Sequence, residues 1–540
     1  MNRVSVFARR RRIKNLEEWT TYAILAESFF LAFSPTIAAV AVMFGVITWF
    51  LRSQIDSHYK MRGLPFDVPV TIFLLIGAAS VFLSSARSFE LIYNYFMLVS
   101  IYGFTYLIVG QTIRTPAQIK QMIQALGASA VLVVLWGFFQ FLFGVDVADI
   151  KWTDPELFPE LRKRVFSTLE NPNVLAGYLN VFICIMLGLL AKTESRSQKL
   201  ILTTAIIMFA SCLIMTYSRG AFFTLIIILA LYGLLNNWKI VLFFAFVIGF
   251  ITYNDSSFIN RILYTFALAD TSSQVRVGIW VSTFAMISDH PFAGIGWGAY
   301  QFVYPQYNYY VSNPNIIIYH AHNIYLNYAA EIGIVGALAF FWYFFGTMFM
   351  SLDLSSNERY VKISSAFSEF VDKFLSTSKI MQDLSKIKAQ IKSQLAIFAD
   401  NVLNLFPNKK PNLKLHKNHK KSPNLIHNED LNFSEHTRKK FADHNEKVTS
   451  IDDFSIAGEK ISIKSVKIDS DEKKSPLVDW NDVTNIDDKK FLDGLRLGIG
   501  LAFLSMALNG LTDDLLFNIP SSMLMWQLGA LGAAINNNSQ

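Results

Sequence analysis

Long apolar blocks alternate with short polar turns along most of this chain. The blocks run roughly 15 to 25 residues, the length a helix needs to cross a bilayer. They carry few charges and lack the two-residue alternation of a membrane barrel, so helices are predicted throughout. Thr20 to Leu51 is too long for one simple span, and Ser34-Pro35 divides it into a hairpin. Val68 to Leu83, Phe89 to Gly110 and Ile119 to Phe143 follow, with Ser84 to Ser88 as a tight turn. After a polar loop come Val174 to Ala191, Leu200 to Tyr217, Phe222 to Leu235 and Ile240 to Tyr253. Ala329 to Met350, Leu492 to Leu511 and Phe517 to Ala533 complete a set of about twelve crossings. The predicted fold class is all-α, a polytopic integral membrane protein.

Residues 1–350 hold the first ten spans, including a long extracytoplasmic loop at 254–328. Residues 351–490 form a cytoplasmic insertion, and 491–540 hold the last two spans and a tail. The insertion is rich in Lys, Asn, Ser and Asp. Its first part keeps spaced apolar residues suited to amphipathic helices on the inner face, and residues 407–488 read mostly as disordered. No nucleotide-binding loop or zinc cluster occurs there.

Charge fixes the orientation. Arg52, Lys60, Arg62, Arg114, Lys120, Lys192, Arg196, Lys199 and Lys239 all fall in loops predicted to face inward. This bias accounts for the formal net charge of +7 without a nucleic-acid partner. Arg162-Lys163-Arg164 breaks the rule, because the threading places it outside. Arg9 to Arg12 precede a first block too long for a signal peptide, which reads as a retained span. The two cysteines, Cys184 and Cys212, lie in apolar blocks and give neither a disulfide framework nor a metal site.

Candidate chemistry concentrates at the predicted outer face. The 254–328 interruption carries RVGIW (Arg276 to Trp280), HPFAGIGWGAY (His290 to Tyr300) and YHAHN (Tyr319 to Asn323). An imidazole such as His322 suits removal of a proton from an incoming hydroxyl. His320, two residues earlier, shares its face in extended chain. A zinc pair is conceivable, but no third ligand stands at characteristic spacing, and no metal or other cofactor is expected. Arg276, and Arg219 in TYSRG with Tyr217, could hold a diphosphate through fork-like hydrogen bonds. Trp297, Tyr300, Tyr304 and Tyr307 are expected to cover a groove, where aromatic faces suit either sugar rings or the membrane surface. The Gly294, Gly296 and Gly298 spacing lacks the βαβ setting of a dinucleotide fingerprint. On the preceding outer loop Asn173 reads as a helix cap, and Glu170 as a partner for His322 or an arginine. Asp513 and Asp514 fall at the outer turn between the last two spans, where they can line the same mouth.

ENPNVLAGYL, YSRG, RVGIW, HPFAGIGWGAY and HAHNIYLNYAAEIGIVG, in that order, resemble the O-antigen ligase and polymerase superfamily of bacterial envelope glycosyltransferases. The likeness runs from about Glu170 to Gly336 and does not extend to the 351–490 insertion. It implies a glycan donor carried on undecaprenyl pyrophosphate and transfer on the periplasmic side of the bacterial cytoplasmic membrane. It further implies an inverting reaction without metal or nucleotide-sugar cofactor. In these terms His322 activates the acceptor hydroxyl, and Arg219 and Arg276 bind the pyrophosphate. Glu170, Asn173, Tyr217, Trp297, Tyr300, His320 and Asn323 are expected around the substrate. The acceptor would be lipid A-core or another envelope glycan or protein, and the enzyme a monomer or weak oligomer among membrane lipids. A polymerase joining carrier-linked repeat units is the nearest alternative. A transporter fits less well, because the candidate residues gather at one face and no inverted pair of interrupted helices is evident.

Overall fold

A computed structural model describes residues 3–144, 164–236, 239, 242, 249, 271–308, 317–352 and 486–536. The predicted crossing Ile240 to Tyr253 falls almost wholly outside these residues, as do Arg162, Lys163 and nearly all of the insertion. Among the described residues the regular structure is entirely helical.

Helix α1 (Arg3–Phe30) and α2 (Pro35–Ile55) form the expected hairpin. Ser34 caps α2 by accepting from the Ile37 N–H, and Pro35 occupies the first turn, where its missing N–H costs nothing. Then come α3 (Asp67–Leu83), α4 (Phe89–Thr112) and α5 (Pro116–Phe143). Helices α6 (Pro172–Lys192), α7 (Arg196–Met215) and α8 (Arg219–Leu235) follow. Helix α9 (Thr271–Asp289) lies inside the stretch expected as loop. Helices α10 (Ile324–Ser351), α11 (Ile486–Asn509) and α12 (Ile519–Asn536) complete the described bundle.

Seven of the described helices, α2, α4 to α7, α10 and α11, are long and apolar enough to cross a membrane, and α3, α8 and α12 are shorter apolar helices. The molecule is an all-α, multi-pass membrane protein. Large apolar side chains such as Phe44, Leu75 and Leu142 remain exposed on its flanks, as lipid-facing positions require.

Two close backbone approaches set the frame around the site. Among the described helices, α6 and α11 share the most extensive seam. A Cβ at Gly188 would stand 2.3 Å from the Gly498 nitrogen, so only glycine admits this contact. The seam fixes the start of α6 near the end of α11, while Lys490 pairs with Glu194 at the opposite end, 2.8 Å away.

The second approach is a break in α10 at Gly333 (φ 70°, ψ 170°). The interruption strands backbone groups in the interior, where each must find a partner. The glycine run supplies them. Ile295 N–H donates to the Ala330 carbonyl at 2.8 Å, Gly296 N–H to Glu331 at 2.9 Å, and Ile334 N–H to Pro291 at 2.8 Å. Ser84 Oγ donates to the Ile295 carbonyl, and Trp297 N–H donates to Ser80 Oγ at 3.2 Å.

The segment HPFAGIGWGAY is therefore a plug inside the bundle rather than a flap over a groove. Tyr300 is fully buried with its hydroxyl against Thr283, and Tyr304 is buried beside it. Trp297 packs edge-on against Phe73, Tyr95 and Tyr328. Tyr300 is thus enclosed in the core, whereas Trp297 is partly buried against it.

Candidate active site

The site is assembled by turns at one end of the bundle. Asn323 caps α10, its Oδ1 accepting the Tyr325 and Leu326 N–H groups at 3.0 Å each. Its Nδ2 donates to the Leu511 carbonyl at 3.0 Å, and Ile324 N–H donates to Gly510 at 2.9 Å. Asn323 thus locks the histidine loop to the turn after α11. Trp280 Nε1 donates to the Ala321 carbonyl at 3.1 Å, tying α9 to the same loop. Arg276 lies one turn before Trp280 and shares its face of α9. Trp280 was not expected to serve as this brace.

His322 stands where these ties converge. Its Nδ1 lies 3.1 Å from Asp513 Oδ1, and a third of its side chain is exposed. Its backbone N–H donates to His320 Nδ1 at 3.1 Å, and the two rings are 4.2 Å apart. His322 adopts φ 49°. Positive φ is uncommon outside glycine. Among the described non-glycine residues it recurs only at Ser167, Glu170 and Tyr217.

The protonation states follow from the surroundings. Burial alone would raise the Asp513 carboxyl. The hydrogen bond and charge of His322, with the charges of Arg276 and His320, outweigh it and hold the group below its ordinary range. Asp513 is therefore an acceptor toward His322 Nδ1, which leaves Nε2 as the ring atom free to exchange a proton. Burial, then the charges of His322 and Arg276, pull His320 down to about 3 against the opposing pull of Asp513. A neutral His320 that accepts at Nδ1 keeps its own proton on Nε2.

Asp514 behaves oppositely. Burial and the neighbouring Asp513 push its carboxyl up to about 7, although it accepts the Leu516 and Phe517 N–H groups. A raised folded-state value means that the unfolded chain ionises first, so this group costs stability as pH rises from its ordinary 3.8 through about 7. Asp514→Asn keeps the cap without the charge. Its melting temperature is expected to match the wild type at pH 4 and to exceed it by about 3 °C at pH 8, as thermal scans at both pH values would show.

Arg164 enters from the segment that precedes α6. Its Nε donates to the Thr216 carbonyl and its Nη2 to Asn173 Oδ1, both at 2.8 Å. The α6 cap is Asn171, which accepts from the Asn173 and Val174 N–H groups. Asn173 instead holds Arg164, which corrects its expected capping role. Arg219 begins α8 just beyond Thr216, and a Cβ on the adjacent Gly220 would stand 2.7 Å from Thr512 Oγ1. Arg219 therefore belongs to the same neighbourhood as Asp513. Burial, then the charges of Arg276 and Arg219, lower Arg164 to about 10 against the opposing pull of Asp513.

Glu170, exposed at its turn, does not hold the imidazole; Asp513 takes that place because the α11 turn is hydrogen-bonded to the histidine loop. Tyr217 is half-exposed beside Arg219 and remains open to a ligand.

His320, His322 and Asp513 bring three potential metal-ligand atoms within 4.8 Å of one another, including the third donor that sequence spacing lacked. Hydrogen bonds already engage both Nδ1 atoms, and the neighbouring guanidinium charges oppose a dication. The field favours an anion.

Residues 203–341 match the O-antigen ligase family model. The matched stretch contains Arg219, Arg276 and His322, whereas Arg164, Asn173 and Asp513 lie outside it. No curated protein matches the chain.

Proposed function

We propose, on the match of residues 203–341 to the O-antigen ligase family model, that the chain is a ligase-type glycosyltransferase of that superfamily. It moves a glycan from undecaprenyl diphosphate to an acceptor hydroxyl at the outer face of the cytoplasmic membrane. The observation that carries this reading is the His322–Asp513 pair, which leaves a basic nitrogen at an accessible site.

The acceptor O–H gives its proton to His322 Nε2 as its oxygen attacks the anomeric carbon. The bond from that carbon to the diphosphate oxygen breaks, and the electron pair leaves with the polyprenyl diphosphate. Attack opposite the leaving group inverts the anomeric centre. Asp513 stabilises the imidazolium that forms and fixes its tautomer. Arg219 and Arg276 bind the donor diphosphate and offset the charge that grows on it as it departs. No resident metal is assigned a step.

Purified protein supplied with a labelled carrier-linked glycan and a panel of acceptors tests the reading. Product released from the carrier onto lipid A-core or another acceptor supports ligation, whereas lengthening on the carrier points to polymerisation. Arg219→Gln or Arg276→Gln is expected to raise the donor KM by about tenfold or more, the scale of one lost charge-assisted hydrogen bond. Unchanged donor binding and turnover in both variants would remove the clamp.

A further inference from the structure

We propose that His320 is a positioning residue for His322: its Nδ1 holds the left-handed backbone turn that aims the His322 ring at Asp513. This rests on the general-base role given above to His322.

The loop is tied on both sides of His322. Ala321 N–H donates to Asn327 Oδ1 at 3.0 Å, and the Ala321 carbonyl accepts from Trp280 Nε1 at 3.1 Å. Beyond the histidine, Asn323 Nδ2 donates to the Leu511 carbonyl and Ile324 N–H to the Gly510 carbonyl. Between these ties the His322 N–H donates to His320 Nδ1 at 3.1 Å. A side-chain atom accepting from the N–H two residues on repeats the geometry of an Asx turn. Here the turn carries φ 49° at His322, a conformation that a β-carbon disfavours. The backbone angle sets the direction of the Cα–Cβ bond, and so whether His322 Nδ1 reaches Asp513 at 3.1 Å. A relaxed backbone at this position would swing the ring off the carboxylate.

The His320 ring is itself held. It lies 4.2 Å from the His322 ring and 4.8 Å from that of Phe517, just beyond the turn that bears Asp513. The two nitrogens of His320 therefore have separable tasks. Nδ1 holds the backbone, and Nε2 is the atom that a substrate contact would use.

Asparagine and glutamine separate these tasks. Asparagine places Oδ1 where His320 has Nδ1 and keeps the acceptor, whereas glutamine extends its amide to the reach of Nε2. Full-length protein in nanodiscs is assayed for single-turnover transfer of a labelled carrier-linked glycan and for donor binding, on the monodisperse fraction. His320→Leu is expected to slow transfer by about 10²-fold, the cost of a base displaced by about 1 Å, with donor binding within about twofold. His320→Asn should stay within about fivefold of the wild type, and His320→Gln should fall with the leucine variant. On a His322→Ala background, His320→Leu should cost less than about twofold more, because its effect passes through the base. Should the leucine variant fail to fold, the comparison of asparagine with glutamine carries the test. Wild-type transfer by His320→Leu overturns the proposal, as does equal loss in the asparagine and glutamine variants. Rescue by glutamine alone also overturns it, because that outcome assigns the role to a substrate contact at Nε2. So does a full further loss on the His322→Ala background. Full activity of His322→Ala defeats the general-base reading itself, whereas an impaired His322→Ala beside an unimpaired His320→Leu removes His320 alone.

Discussion

His322→Ala is expected to slow glycan transfer by about 10³-fold, within the range for removal of a positioned general base. Donor binding should stay within about twofold, because the loss falls on proton transfer rather than on the diphosphate contacts. Single-turnover transfer and equilibrium donor binding, measured on the same preparation, separate the two effects. Full activity in the variant would remove His322 from the reaction. Asp513→Asn is the companion experiment. An asparagine can still accept the Nδ1 proton but offers no charge to the imidazolium, so transfer should fall by about 10²-fold. The Asp513 carboxyl titrates below its ordinary 3.8 despite its burial. Its contribution to stability is therefore complete above that pH and is lost only in stronger acid, as pH falls through the folded-state value. Loss of activity at milder acidity must come from another group.

Gly333→Ala is expected to prevent accumulation of folded protein. An added Cβ would stand 2.1 Å from the Phe292 carbonyl oxygen, and the backbone there has φ 70°. Relief would require the plug to withdraw. That would expose the carbonyls of Ala330 and Glu331, each worth about 1–3 kcal/mol when buried without a partner. Gly336→Ala is a useful contrast, because its Cβ would meet only side-chain atoms, the nearest at 2.9 Å on Ile332. Monodispersity and thermal stability in detergent are the readouts. A well-folded Gly333→Ala variant would show that the plug is not essential to the bundle.

The glycine run illustrates why one motif invited two readings. A string of glycines and aromatics is compatible with a surface loop over a sugar and with a buried plug. The choice depends on whether a broken helix lies nearby to receive its N–H groups. Gly333 and the glycines at 294 and 296 are some 40 residues apart in sequence, and nothing local to either segment reveals that they interlock.

The same limit applies to the site. His322, Arg276 and Arg219 can be nominated from the sequence because each is a polar residue placed at the edge of an apolar block, where it incurs a desolvation cost that function can explain. Arg164 left a fainter signal, a basic cluster on the wrong side. Asn173 stands where a cap would, yet the fold gives the cap to Asn171 and turns Asn173 toward Arg164.

Hydrophobic patterning was sufficient for the all-α membrane class and for the hairpin break at Ser34-Pro35, because span length and proline geometry are local properties. Residue chemistry was sufficient to nominate His322 as a base. Tertiary structure alone chose Asp513, 191 positions away, as the partner of its imidazole. It also brought Arg164 near Arg219 and Arg276 and enclosed Tyr300 in the core. Those outcomes depend on which helix ends meet. The glycine seam between α6 and α11 and the break in α10 bring them together, through contacts between segments distant in sequence.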